Sequence, residues 1–319
     1  MVNRQSGSDA HFTLTPLTLH IGARIDDIDL CMPLSTEALQ QLREALVKWK
    51  VIFFQQQSLD HAAHVAFARQ LGEPTIGHAV FGHDDNFPEI YSVAKHRTAN
   101  SADSQRVQRP WTGWHTDITA AVNPPSASIL RGVDIPPYGG DTFWTNLAVA
   151  YSGLSETLRA FLDTLNGVHR FKLPASAEPA QDYVRDVQSR YMESVHPLVT
   201  VHPESAEKLL YVSPYFLNRI EGLAARESDV LLEMLWEHVV RPEYTVRYKW
   251  RAGDVAVWDN RATAHLAPAD IFDSDFDRQL YRVTLVGEKL KGVDGRESRA
   301  ISGEPILSAQ DELQLRKSL

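Results

Sequence analysis

The run WHTDITAAVNPPSASILRGVDIPPYGGDTFWTN, residues 114–146, sets a histidine and an aspartate two residues apart, His115 and Asp117. A short apolar run, SASILRGVDI (126–135), follows and is closed by Pro and Gly. The Thr, Val and Ile around His115 and Asp117 read as a strand. In a strand, residues i and i+2 point to one face, so a ring nitrogen and a carboxylate would meet at a common point. Short β-like runs recur along the chain between Gly, Pro and Asp: VIFF (51–54), LLYVSP (209–214), TVRYKW (245–250), DVAVWD (254–259) and LYRVTLVG (280–287). Between them lie amphipathic helices. STEALQQLREALVKWK (35–50) has Ser35 as N-cap and Leu39, Leu42, Leu46 and Trp49 on one face. LDHAAHVAFARQLG (59–72) has Asp60 as N-cap and Gly72 as its stop. Residues 148–165 and 227–240 read as further helices. Many short strands with a few helices outside them predict a mainly β fold with flanking helices, a sandwich or barrel, and not a doubly wound sheet.

The bulk numbers are those of an ordinary globular chain: 319 residues, 43% hydrophobic and 23% charged. Residues 1–12 read as a flexible tail and 13–319 as a single domain. Two long, polar, poorly patterned stretches, 79–113 and 172–195, read as lid loops. A formal net charge of −9 argues against a nucleic-acid partner. No apolar run is long enough for a membrane span. The polar N-terminus lacks a signal-peptide core, and a single cysteine, Cys31, allows no internal disulfide; both fit the cytoplasm.

A lone HxD pair is weak evidence, and a strand-end histidine bonded to a carboxylate would look the same. GDVAVWDNRATAHLAP (253–268) offers a third donor, His265, although a satisfied loop histidine is the commoner reading of such a residue. Two His and one carboxylate form the facial set that favours non-heme Fe(II) and leaves open positions. Zinc hydrolases use the same donor types, so the donors alone do not fix the metal. In DRQLYRVTLVG (277–287), Arg278 and Arg282 are four residues apart and would share a strand face. Planar guanidinium pairs bidentately with carboxylate, as a dicarboxylate cosubstrate would require.

These stretches, WHTDITAAVNPPSASILRGVDIPPYGGDTFWTN with GDVAVWDNRATAHLAP and RQLYRVTLVG, resemble the taurine dioxygenase family of Fe(II)/2-oxoglutarate-dependent dioxygenases. The resemblance runs from IGARIDDIDL through ISGEP. WDNRATAH and the tail VDGRESRAISGEP are most similar to the alkylsulfate dioxygenases. It implies a double-stranded β-helix, or jelly roll, with Fe(II), 2-oxoglutarate and O2 as cofactors. Residue by residue, His115, Asp117 and His265 match the iron ligands. Thr142 and Arg278 match the groups that hold 2-oxoglutarate. Arg282 matches an arginine near the cosubstrate C1 carboxylate and the substrate anion, and His78 a histidine on a substrate sulfonate or sulfate. The resemblance further implies a homo-oligomer, dimer or tetramer.

Two departures bear on substrate. The segment LAPADIFDSDFD is about two residues longer than usual between His265 and Arg278. Trp111 and Phe81 stand where the taurine enzymes contact their amine and sulfonate, and neither offers a polar handle. A small anionic substrate with an apolar tail is therefore expected, most of all an alkyl sulfate cleaved to aldehyde and sulfate. A sulfonate, a phenoxyalkanoate or a natural-product intermediate is the alternative. A non-catalytic, anion-sensing jelly roll is the reading from another class. Trp114 is read as either pocket wall or core, and 95–110 as either lid or solvated loop.

Overall fold

The computed structural model describes residues 11–78, 82–94, 109–171 and 191–318. Two capped helices form as their sequences dictate. Ser35 accepts from the Ala38 amide to open Thr36–Trp49, and Asp60 accepts from the Ala63 amide to open His61–Leu71. The region expected as one helix over 148–165 is two, Leu147–Ser152 and Glu156–Leu162. Gly153 ends the first, and Ser155 caps the second by accepting from the Leu158 amide.

Seven strands form one sheet in the order Thr13–Pro16, Ala23–Asp26, Val51–Phe54, Val255–Asp259, Ala127–Asp134, Gln279–Thr284, Tyr91–Ala94. Each neighbouring pair is antiparallel except Ala23–Asp26 with Val51–Phe54. The central strands alternate strictly, as a sheet covered on both faces requires. Val255 and Val257, with Ile52, Phe54 and Ile129, pack under the two helices. Ala256 and Trp258, with Phe53, Leu130 and Leu280, face the opposite way. There they meet Trp144, Val246 and Tyr248 of a three-stranded sheet ordered Thr245–Tyr248, Thr142–Asn146, Thr263–Leu266. Two sheets facing each other across this core, with helices outside, make the mainly β jelly roll. A further four-stranded sheet is ordered Leu217–Ile220, Asn166–Arg170, Glu193–Pro197, Arg299–Ser302.

The expected lid loops are partly strand. Tyr91–Ala94 is an edge of the seven-stranded sheet, and Glu193–Pro197 pairs with Asn166–Arg170. Of both stretches, 79–81, 95–108 and 172–190 lie outside the described residues.

Two core histidines give the fold an acid limit. Burial pushes His64 down to about 3 and His196 down to about 4. Both are neutral in the fold, whereas an unfolded imidazole titrates near 6.5. Between those values the unfolded chain binds more protons, so stability is full above about pH 6.5 and falls as pH drops towards 4. Each histidine then costs about 1.4 kcal/mol per pH unit. The urea midpoint is expected to be clearly lower at pH 5 than at pH 7. A midpoint unchanged over that range would contradict neutral burial.

Candidate metal centre

His115 and Asp117 do not share a strand. His115 makes a single bridge to His265, each backbone amide donating to the other's carbonyl at 2.9 and 2.7 Å. The chain then turns over residues 117–120. Ile118 sits at φ +44, a region β-branched residues rarely adopt, and this ends the extended backbone. The two side chains nonetheless come together, Asp117 from the first position of the turn.

That turn is held from behind. Thr119 Oγ1 lies 2.9 Å from His169 Nδ1, and its carbonyl accepts from His196 Nε2 at 2.8 Å. Both histidines are fully buried on the four-stranded sheet. His265 faces inward opposite Trp144 on the three-stranded sheet. Two donors, His115 and His265, thus come from adjacent bridged backbone and the third, Asp117, from the turn that follows.

The ligand atoms of His115, Asp117 and His265 all lie within 4.8 Å of one another. His115 Nδ1 is 2.9 Å from the Gly113 carbonyl, which can only accept, so Nδ1 carries the proton and Nε2 the lone pair. Burial lowers the pKa of both imidazoles, helped at His265 by His115, and keeps them neutral. Neutral imidazole is the form that ligates a metal. Burial alone would raise Asp117, but the Arg282 guanidinium, helped by the Ser128 hydroxyl, outweighs it and holds the carboxyl well below its usual range. Two neutral nitrogens and one fixed negative oxygen are the donor set an Fe(II) ion takes.

Arg282 reaches the same point from the seven-stranded sheet, its Nη1 donating to Asp117 Oδ1 at 2.7 Å. Its guanidinium lies 5.2 Å from the Tyr91 ring centroid, and Tyr91 is 5.0 Å from the His78 ring. His78, Tyr91, Arg282 and Asp117 therefore form a continuous row. Arg278 does not share the strand with Arg282 as expected: it precedes Gln279–Thr284, and the register shifts between Gln279 and Leu280. It is nonetheless buried, and its Nε donates to the Gly140 carbonyl at 3.0 Å. Burial pushes it down to about 10, against the pull of Asp270 and Asp141. Among the described residues, no carboxylate oxygen lies within ion-pair distance of Arg278. Gly140 is at φ +67, and a Cβ there would come 2.8 Å from Arg278 Cδ, so GGDT needs its second glycine. Two residues on, Thr142 Oγ1 accepts from Trp250 Nε1 at 2.9 Å, which leaves the threonine proton to be given elsewhere.

The remaining expectations divide. Trp114 is core, 4% exposed and packed near Phe143. Trp111 is half-buried in the turn 110–113, its ring 6.2 Å from Trp236. Phe81 lies outside the described residues. Four residues that sequence reasoning did not single out adjoin the site: Ser128, Asn260, Tyr91 and Trp250. The stretch WDNR carried the signal for Asn260, whereas Ser128 and Tyr91 have none in the sequence.

Comparison with known proteins agrees with this geometry. The family model described as taurine catabolism dioxygenase TauD, TfdA family matches residues 13–284. An alpha-ketoglutarate-dependent sulfate ester dioxygenase of Pseudomonas putida is 40% identical over 89% of this chain and 92% of its own. An alkylsulfatase of Acinetobacter baylyi is 36% identical over 94% of this chain and 92% of its own. The crystal structure of a taurine dioxygenase from Burkholderia xenovorans is 57% identical, with a TM-score of 0.82 over 92% of this chain and 96% of that one. None of the helices described is long and apolar enough to cross a membrane. A match of that extent, over a jelly roll whose inner end brings two imidazoles and a carboxylate together, means that the chain belongs to the TauD, TfdA family and is an Fe(II)- and 2-oxoglutarate-dependent dioxygenase.

Proposed function

We propose that this enzyme cleaves an alkyl sulfate ester to an aldehyde and sulfate, using His115, Asp117 and His265 to hold Fe(II). The convergence of those three donors supports the metal assignment. Two relatives named for sulfate ester and alkylsulfate chemistry, at 40% and 36% identity, support the substrate. When bound, Fe(II), 2-oxoglutarate and O2 supply the oxidation of a C–H bond, with succinate and CO2 released.

The chain's own residues do the placing. Arg278, buried with no carboxylate of the described residues within ion-pair distance, receives the far carboxylate of 2-oxoglutarate, and Thr142 donates a hydrogen bond to that group. Arg282 and His78 face the sulfate anion, aligned through Tyr91 between them. Trp111 lines the apolar tail, a role the sequence also assigns to Phe81. Hydroxylation at the carbon bearing the sulfate oxygen gives a sulfated hemiacetal. Its C–O bond to sulfate breaks as the hydroxyl proton leaves, yielding aldehyde and sulfate. Residues 13–319 act as one catalytic domain in the cytoplasm, assembled as a dimer or tetramer.

A sulfonate is the second reading, favoured by the 57% identity to the Burkholderia structure titled a taurine dioxygenase. The purified protein with Fe(II), ascorbate and 2-oxoglutarate is expected to form succinate and an equal amount of aldehyde from medium-chain alkyl sulfates. Succinate stimulated by taurine or an alkyl sulfonate alone would move the assignment to the second reading. A carboxylate alone would overturn both.

A further inference from the structure

Asp117 has two oxygens, and their neighbours differ. Oδ1 is 3.8 Å from His265 Nε2. Oδ2 accepts from Ser128 Oγ at 2.7 Å. Ser128 Oγ in turn lies 2.9 Å from Asn260 Nδ2, and Asn260 Oδ1 lies 2.9 Å from Trp258 Nε1. All four side chains are buried, Ser128 and Asp259 beside it completely. The chemistry of the two ends fixes every proton. An indole N–H can only donate, so the Asn260 group towards Trp258 is the oxygen. The amide nitrogen then donates to Ser128, whose single proton must go onward. A carboxylate can only accept, so that proton is committed to Oδ2.

We propose that Ser128 and Asn260 are positioning residues that keep Asp117 a one-oxygen ligand. The inference rests on the iron reading above. Ser128 commits Oδ2 to a hydroxyl that has no other use for its proton, while Oδ1, which also accepts from Arg282 Nη1 at 2.7 Å, is the oxygen beside His265 Nε2 and the one turned to the metal. A second oxygen on the metal would fill one of the positions that 2-oxoglutarate and O2 require. The same tryptophan that starts the chain lies 4.9 Å from the His265 ring, so WDNRATAH supports two ligands at once. Partners that orient a ligating group in this way are typically worth about 10–100-fold in metal affinity.

The test uses the full chain and Co(II), whose visible absorption reports coordination. Ser128→Ala is expected to bind Co(II) about 10–100-fold more weakly, with an altered visible band and an unchanged fold by circular dichroism. Ser128→Thr, which keeps the hydroxyl, is expected to restore both. Asn260→Asp keeps the acceptor for Trp258 but cannot donate to Ser128, and is expected to fail like Ser128→Ala. Wild-type affinity and an unshifted band in Ser128→Ala would overturn the proposal while leaving the iron reading intact. Failure of the wild-type protein to bind Co(II), or binding that His115→Ala leaves unchanged, would overturn the iron reading and this proposal with it.

Discussion

Asp117→Ala is expected to abolish succinate formation and also to lower the melting temperature, an effect few metal-ligand substitutions combine. The first loss follows from removing the only anionic donor of the three. The second follows from Arg282, which is 8% exposed and donates to Asp117 Oδ1. Removing one partner of a buried pair leaves the other charge uncompensated, at about 3–5 kcal/mol. For a chain of this size that corresponds to roughly 5–10 °C. His265→Ala should lose turnover without that penalty, because it strands no charge. Asp117→Ala combined with Arg282→Met should recover the melting temperature while remaining inactive. A single variant that melts with the wild type would mean that Arg282 finds another anion.

Arg278→Ala is expected to raise the apparent KM for 2-oxoglutarate by about 10–100-fold, since a charge-assisted hydrogen-bonded contact is worth about 1.5–3 kcal/mol. Turnover at saturating 2-oxoglutarate and the KM for the sulfate ester should move little. The prediction is sharp because, among the described residues, Arg278 spends only its Nε, on the Gly140 carbonyl. Its outer fork remains for a ligand, and burial already presses it down to about 10, so an arriving carboxylate relieves an existing cost. Arg278→Lys keeps the charge but not the planar fork, and should fall between the two. If the KM for the sulfate ester moved instead, the roles given to Arg278 and Arg282 would be exchanged.

What could be read from the sequence was what depends on spacing. Ser35 and Asp60 cap the helices they were expected to cap, because a cap acts over three residues. The apolar runs at 51–54, 254–259 and 280–287 became sheet strands because each already alternated towards two covers. The three candidate donors and both arginines lay in short motifs and could be named as candidates. The order in which strands pair had no local cause, and Val255–Asp259 enters between Val51–Phe54 and Ala127–Asp134 from far along the chain. The strand expected at His115–Asp117 failed because Ile118 takes a left-handed backbone that no propensity for Ile foretells. Ser128 reaches Asn260 across 132 positions, and Arg282 lies over Tyr91 across a comparable gap. A hydrogen bond or ring contact of that range leaves no period in the sequence.

The turn at Ile118 bears on any attempt to transplant this chemistry. A non-glycine residue held in such a backbone well stores about 1–3 kcal/mol, and the conformation persists only where the surroundings over-determine it. Here the surroundings are His169 and His196, gripping Thr119 from a different sheet. A His-Thr-Asp tripeptide grafted onto another barrel would carry two donors and none of that grip. Without that grip, nothing would hold the turn that follows the carboxylate in its left-handed conformation. The portable unit is therefore a discontinuous one, the turn together with its two buried histidines and the serine on the neighbouring strand. Scaffolds for borrowed oxygenase sites are better chosen for a socket behind the turn than for the donors themselves.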